Sequence, residues 1–92
     1  MHQPRILLVD DTVEHRVLFV EALSALRLEI VEAASGPEAI SAARAGDFAL
    51  ALIDVRMKGM DGFEIASMLR QDPETAALPV LFFTGSAEDD QH

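Results

Sequence analysis

The 92-residue chain has no cysteine, tryptophan or tyrosine, and it has few basic residues. Without cysteine, disulfides and thiolate metal sites are excluded. Only 7 lysine and arginine residues stand against 16 aspartate and glutamate residues, which gives a formal net charge of −9. This balance argues against binding to nucleic acid or to an anionic membrane surface, since both need a basic face. No apolar run is long enough to span a membrane. We therefore expect a soluble, cytoplasmic domain.

Half of the residues are apolar, enough for one packed core in a single domain over residues 1–92. Short apolar runs predict four strands, over residues 5–9, 28–33, 48–53 and 78–83. Helices are predicted over residues 12–26, from a Ser35/Glu38 capping box to near Gly46, and from an Asp61/Glu64 cap to before Pro73. This alternation predicts an α/β fold, an open parallel sheet with helices on both faces.

Two apolar sets are assigned to the core. In the first predicted helix, Val13, Val17 and Val20 form one stripe of an amphipathic helix. In the fourth predicted strand, Phe82 and Phe83 are the large apolar side chains. We expect both sets to be packed inside the domain.

Acidic residues follow two of the predicted strands. Asp54 comes after the apolar run 49–53, and Asp10 and Asp11 come after the run 6–9. A carboxylate at the tip of a buried strand is costly to desolvate and is usually there for chemistry. If the first and third strands are neighbours, each carboxylate pair at ~5 Å costs about 3 kcal/mol at an effective dielectric of ~20. A hard, oxygen-seeking ion such as Mg²⁺ would relieve this repulsion.

Four motifs are spaced along nearly the whole chain. They are the Asp10-Asp11 pair; the set Val31, Ala34, Gly36, Glu38 and Ala39; the set Asp54, Met57, Gly59, Met60, Asp61 and Gly62; and the segment Phe83-Thr84-Gly85. Each motif alone is weak, but the four in register are specific. Together they resemble the receiver domains of two-component response regulators.

The resemblance implies a flavodoxin-like sheet of strand order 2-1-3-4 and phosphoryl transfer to Asp54 from a histidine kinase or a phosphotransfer protein. It implies that Mg²⁺ is bound by Asp11 directly, by Asp10 through water, by Asp54, and by the backbone carbonyl of Arg56. Thr84 is then the switch hydroxyl that hydrogen-bonds the phosphoryl oxygens. On this interpretation the chain is a phosphoacceptor and not an enzyme.

Two departures from the family pattern stand out. Lys58 occupies a place where the family often has proline. The family's lysine at the end of a fifth strand, that strand and the last helix would all lie beyond His92. We therefore expect a C-terminally incomplete receiver in which self-dephosphorylation is weakened. Arg56 or Lys58 is a possible substitute for the missing lysine.

Other interpretations stay open. The chain could be a non-catalytic interaction or dimerisation module that uses the exposed edge of its fourth strand. A metal-dependent phosphatase is disfavoured, because Arg56 stands where that class generally has a second aspartate. Asp11 could instead cap the first helix, with Glu14 three residues on. His2 and His15 could be phosphorylated or bind a metal ion, but we interpret them as isolated, exposed side chains.

Overall fold

The structure is a computed structural model, and it describes residues 3–84. Its elements are β1 (Arg5–Val9), α1 (Val13–Ala22), a 3₁₀ turn (Ser24–Leu26), β2 (Glu29–Ala33), α2 (Gly36–Ala45), β3 (Leu50–Asp54), α3 (Gly62–Gln71) and β4 (Val80–Phe83). Among these residues no helix has the length and apolar character needed to cross a membrane. Gly85 of the fourth motif and His2 lie outside the described residues.

The four strands form one parallel sheet in the order β2-β1-β3-β4. This confirms the predicted strand order. The central strand β1 is buried from Ile6 to Val9, as expected for a parallel strand that is covered on both faces. Its neighbour β3 pairs with it in a register that sets Val9 opposite Ile53. The carboxyl ends of the two central strands therefore lie side by side.

Two aromatic contacts at β4 show that helices cover both faces of the sheet. The ring of Phe82 lies 4.7 Å from that of Phe63 in α3, and the ring of Phe83 lies 4.6 Å from that of Phe19 in α1. Consecutive side chains of a strand point to opposite faces. Helices α1 and α3 are therefore on opposite sides, which confirms the predicted layering.

The main core lies between the sheet and the helices α2 and α3. Its large side chains are Leu7, Val9, Ile53, Ile65 and Leu69, and its small ones are Ala33, Ala39, Ala43 and Ala51. Burying each large apolar side chain contributes about 1.5–3 kcal/mol. This packing fixes β1 and β3, and with them the two strand tips that carry aspartate.

The first helix differs from its prediction. It ends at Ala22, and Arg27 adopts a left-handed conformation with φ 56° after the 3₁₀ turn, so residues 12–26 are not one helix. The assignment of Val13 and Val17 to the core is wrong, because both side chains are more than half exposed. Within residues 3–84 no element lies over them. Phe82 is 42% exposed, so its assignment to the core is also wrong, whereas Phe83 and Val20 are half-buried.

The predicted caps fix the starts of α2 and α3. The side-chain oxygen of Ser35 accepts a hydrogen bond from the Glu38 N–H at 3.2 Å. The Glu38 carboxylate accepts a hydrogen bond from the Ala34 N–H, and not from the Ser35 N–H that a complete capping box would use. At α3 the capping box is complete, because Asp61 and Glu64 each accept the other's backbone N–H, at 2.9 and 2.8 Å. The second cap ends the loop that follows Asp54.

Candidate functional site

Two buried carboxylates meet at the carboxyl ends of β1 and β3. Asp10 directly follows β1 and Asp54 is the last residue of β3, and both side chains are fully buried. They are adjacent because Val9 pairs with Ile53. In open parallel sheets this edge is where ligands bind. The convergence of Asp10 and Asp54, expected if the first and third strands are neighbours, is therefore present.

Asp10 is held by four contacts. Its backbone N–H donates a hydrogen bond to Ala33 O at 3.1 Å, and its carbonyl oxygen accepts one from the guanidinium of Arg16 at 2.6 Å. Its Oδ1 atom accepts the backbone N–H of Thr12 at 2.9 Å. Its Oδ2 atom lies 2.9 Å from Nδ1 of His15. These contacts orient one carboxylate oxygen toward the backbone and the other toward α1.

The interpretation of His15 as an isolated exposed side chain is wrong. Its side chain is 27% exposed and is bonded to the buried carboxylate of Asp10. The physical reason is that α1 begins at Val13, two residues after Asp11, so its first turn lies over the strand tip. Its helical neighbour Arg16 also reaches back, to the Asp10 carbonyl and to Glu32 at 2.8 Å.

Asp54 is fixed by the loop that follows it. Its Oδ1 atom accepts the backbone N–H of Arg56 at 3.0 Å. The loop closes where the N–H of Gly62 donates to Val55 O at 3.3 Å. A Cβ atom at Gly62 would collide with the backbone carbonyl oxygen of Asp54, so the close approach of α3 to β3 requires glycine.

Asp11 is placed differently from Asp10. Its Oδ2 atom accepts the backbone N–H of Lys58 at 3.0 Å, across 47 residues of sequence. The alternative in which Asp11 caps α1 is wrong, since the N-cap residue is Thr12 and no side-chain capping bond forms. Asp11 instead ties the loop after β3 to the loop after β1.

Thr84 lies one residue past the end of β4. Because Asp54 pairs with Phe83, Thr84 is one position beyond the level of Asp54 on the neighbouring strand. Arg56 is exposed in the loop. The structure thus places Thr84 and Arg56 at the same edge of the sheet as the carboxylates, and their roles stay predictions.

One group of side chains could bind a metal ion. Single ligand atoms of Asp10, His15 and Asp54 all lie within 4.8 Å of one another. Two of the three are buried carboxylates, the ligand type that a hard divalent cation prefers. Asp11, the residue predicted to bind the ion directly, is not in this group, and its Oδ2 atom accepts a hydrogen bond from the Lys58 N–H. Its role as a ligand stays a prediction.

The sequence matches a family over most of its length. The sequence model of the response regulator receiver domain matches residues 6–92. The chain belongs to this family. Receiver folds are also found by comparison of structures: the chemotaxis protein CheY4 of Vibrio cholerae superposes with a TM-score of 0.82 at 26% identity, covering 96% of this chain and 77% of that one.

Relatives with longer chains share this receiver domain. The response regulator PleD of Caulobacter vibrioides is 42% identical over 81 residues, which cover 87% of this chain and 18% of PleD. A chain from the crystal structure of the histidine kinase ThkA in complex with the response regulator TrrA superposes with a TM-score of 0.82 at 29% identity, covering 98% of this chain and 76% of that one. The receiver therefore spans a small part of PleD.

Of the residues around the receiver's acidic pocket, His15 was considered as a metal ligand in the sequence analysis but was assigned to the exposed surface. The available signal was its position: a helix was predicted to begin right after Asp10-Asp11, and His15 falls in its first turn. Residues there lie over the preceding strand tip, so a histidine in that turn is within reach of the acidic pair. Arg16, the next residue of the same turn, was not identified from the sequence.

Proposed function

We propose that the chain is a phosphoacceptor receiver that takes a phosphoryl group onto Asp54 in two-component signalling. The observation that carries this proposal is the position of Asp54: a buried carboxylate at the carboxyl end of β3, beside Asp10 and at the edge of the sheet where the loops open. Membership of the receiver family supports a phosphoacceptor role for this carboxylate. In that role the chain is a phosphoryl acceptor and not an enzyme.

The chemistry suits the groups present. A carboxylate oxygen of Asp54 attacks the phosphorus of a phosphohistidine, the phosphorus–nitrogen bond breaks, and the released imidazole takes up a proton. The product is an acyl phosphate. The Arg56 N–H, at 3.0 Å from Oδ1, orients the attacking carboxylate. Thr84, one position beyond Asp54 on the neighbouring strand, is proposed as the switch hydroxyl that responds to the phosphoryl group.

Mg²⁺ is the proposed cofactor. The donor set fits a hard cation, since Asp10 and Asp54 offer carboxylate oxygens in one buried group. The backbone carbonyl of Arg56 and the carboxylate of Asp11 are the further candidate ligands. When bound, the ion neutralises negative charge on the transferring group. Without it, close carboxylates repel each other by about 3 kcal/mol at ~5 Å and an effective dielectric of ~20.

The proposed phosphodonor is a histidine kinase or a phosphotransfer protein, and the proposed compartment is the cytoplasm. Similarity to a chain of the ThkA–TrrA complex supports a kinase partner. The net charge of −9 argues against direct binding to nucleic acid.

Mass spectrometry after incubation with Mg²⁺ and a small acyl phosphate donor tests the proposal. We expect a gain of about 80 Da, one phosphoryl group, in the wild-type chain and none in Asp54→Asn. Asp61→Asn is the matched control, because it changes a nearby aspartate while asparagine still caps α3. A gain in Asp54→Asn, or none in a folded wild-type chain, would contradict the proposal.

A second candidate function is self-association through β4. Within residues 3–84 this strand pairs on one side only, with β3, and Leu81 and Phe82 are exposed on it. An exposed strand edge with apolar side chains is a template for pairing with a second copy. Sedimentation velocity tests this: Leu81→Lys should abolish a dimer, while Leu18→Lys, at an exposed leucine of α1, should preserve it. A wild-type monomer at high concentration would exclude it.

A further inference from the structure

His15 gives the acidic pocket a nitrogen atom. Its Nδ1 atom lies 2.9 Å from Oδ2 of Asp10, and the side chain is mostly covered. The other oxygen of that carboxylate accepts the Thr12 N–H, so the oxygen facing His15 has a fixed direction. Nδ1 and Oδ2 face each other in a hydrogen bond, and a metal ion that displaces its proton would be bound by both atoms.

The spacing of the donors suits two ligands of one ion. Neighbouring ligands about 2.1 Å from an octahedral ion are about 3 Å apart, and opposite ligands are about 4.2 Å apart. The separation of His15 Nδ1 and Asp10 Oδ2 is 2.9 Å. A ligand atom of Asp54 joins them within 4.8 Å. Small side-chain adjustments would bring the three donors to one ion.

The chemistry of a mixed nitrogen and oxygen set differs from that of oxygen alone. Mg²⁺ takes oxygen ligands and retains its waters, whereas imidazole is a good ligand for divalent transition ions. The group formed by Asp10, His15 and Asp54 offers two carboxylates and one imidazole. Asp11, whose Oδ2 atom accepts a hydrogen bond from the Lys58 N–H, remains a further candidate ligand.

We propose that His15 is a metal ligand in the receiver pocket and that it biases the pocket toward first-row divalent transition ions over Mg²⁺. The inference deepens the proposed function and rests on it, because it concerns the ion that serves Asp54. The contacts around Asp10 support the role. Arg16 binds its carbonyl at 2.6 Å and Thr12 binds Oδ1, which hold the shared carboxylate in place for a ligand on Oδ2.

The chain allows a direct spectroscopic test, because it has three histidines, namely His2, His15 and His92. In the double variant His2→Ala/His92→Ala, His15 is the one remaining imidazole. Pulsed electron paramagnetic resonance on the Mn²⁺-loaded protein detects a coordinated imidazole nitrogen. We expect the nitrogen signal in wild type and in the double variant, and its loss in His15→Ala.

A second variant separates ligation from a purely structural contact. In His15→Asn the amide N–H can still donate to Asp10, but an amide nitrogen is a poor metal ligand. Replacing even an outer partner of a metal ligand weakens binding about 10–100-fold, so we expect Mn²⁺ affinity to fall about tenfold or more in both variants. Mg²⁺ affinity should change little in either one.

The outcomes distinguish this inference from the phosphoacceptor proposal. Mn²⁺ binding without a nitrogen signal in the double variant would overturn the inference. So would wild-type Mn²⁺ affinity in His15→Asn, or failure of Mn²⁺ to bind the folded wild-type chain. The mass gain at Asp54 is measured separately with Mg²⁺. A nitrogen signal without phosphorylation would support His15 as a ligand and count against the phosphoacceptor role.

Discussion

The backbone N–H of Lys58 donates to the carboxylate of Asp11 at 3.0 Å, and this bond joins the loop after β3 to the loop after β1. The two residues are 47 positions apart in sequence. Because the bond uses the main chain of Lys58, the contribution of this residue to the pocket does not depend on its charged side chain. Within residues 3–84 the Lys58 ammonium forms no ion pair.

Lys58→Ala and Lys58→Pro should therefore differ. Lys58→Ala keeps the N–H, so the free energy of unfolding and the lifetime of the phosphorylated form should not change measurably. Lys58→Pro removes a hydrogen bond to a charged acceptor, which contributes about 1.5–3 kcal/mol to the free energy of unfolding. Proline also lowers the entropy of the unfolded chain, which adds back about 0.4–1 kcal/mol. We expect a net loss of about 1 kcal/mol in urea denaturation.

The same pair of variants tests whether the Lys58 side chain contacts the phosphoryl group on Asp54. If Lys58→Ala shortened or prolonged the lifetime of the phosphoryl group on Asp54, the side chain would be a phosphoryl partner. That result would also contradict a purely main-chain role for Lys58 in the pocket.

Gly62→Ala should destabilise the loop after Asp54. The added Cβ would collide with the carbonyl oxygen of Asp54, a backbone atom that cannot move independently of β3. Such overpacking costs about 1–3 kcal/mol. Gly36→Ala is the matched control, because Gly36 is also the first residue of its helix, but its nearest neighbour is the flexible side chain of Met60.

Thermal or chemical denaturation measures the stability of the two glycine variants. Gly62→Ala should lose clearly more stability than Gly36→Ala, and its Asp54 should be phosphorylated less. Equal losses of stability would contradict the prediction that the added Cβ at Gly62 collides with the backbone of β3.

Asp61→Ala should weaken α3. Asp61 accepts the N–H of Glu64 in a complete capping box, and replacing an N-cap residue by alanine costs about 1 kcal/mol. Thr12→Ala is the comparison, since Thr12 is the N-cap of α1 without a side-chain capping bond. We expect it to change stability by less than about 0.5 kcal/mol. Chemical denaturation of both variants checks the ranking, and the reverse ranking would refute it.

Arg16→Ala should cost more stability than Arg44→Ala. The Arg16 side chain is 15% exposed and bonds both Glu32 and the carbonyl of Asp10, whereas Arg44 is 56% exposed and pairs with Asp72 at the surface. Hydrogen bonds to charged groups contribute about 1.5–3 kcal/mol. An exposed ion pair contributes about 0–1 kcal/mol.

Urea denaturation at low and at high salt measures the free energy of unfolding of both arginine variants. The loss in Arg44→Ala should shrink at high salt, because exposed charges are screened. The loss in Arg16→Ala should largely persist. A small, salt-sensitive loss for Arg16→Ala would mean that its contacts do not hold Asp10 in place.

The strands and helices could largely be predicted from the sequence because the patterns that specify them are local. The apolar runs of β1 and β3, the cap pair Asp61 and Glu64, and the glycine after α2 each act within a few residues, and the structure confirms them. The strand order 2-1-3-4 came partly from family resemblance, since periodicity does not say which strands pair. The aspartates at the strand tips followed from the ends of the apolar runs.

Other features could not be predicted from the sequence because they depend on which elements pack together in the folded chain. The helical period of Val13 and Val17 is real, but period alone cannot show whether another element packs on that stripe, and among residues 3–84 none does. Asp11 likewise looks equivalent to Asp10 in sequence. Its carboxylate accepts a hydrogen bond from a main-chain donor 47 residues later, a contact that no local pattern encodes.

The sequence by itself determined the alternation of strands and helices and the placement of Asp10 and Asp54 at strand ends, because both follow from short-range hydrophobic patterning. Only the tertiary structure decided which groups share the pocket. The pairing of β1 with β3 joins the two buried carboxylates, and the position of α1 over the strand tip brings His15 to 2.9 Å from Asp10. Those distances depend on how the elements pack, and packing is a property of the whole fold.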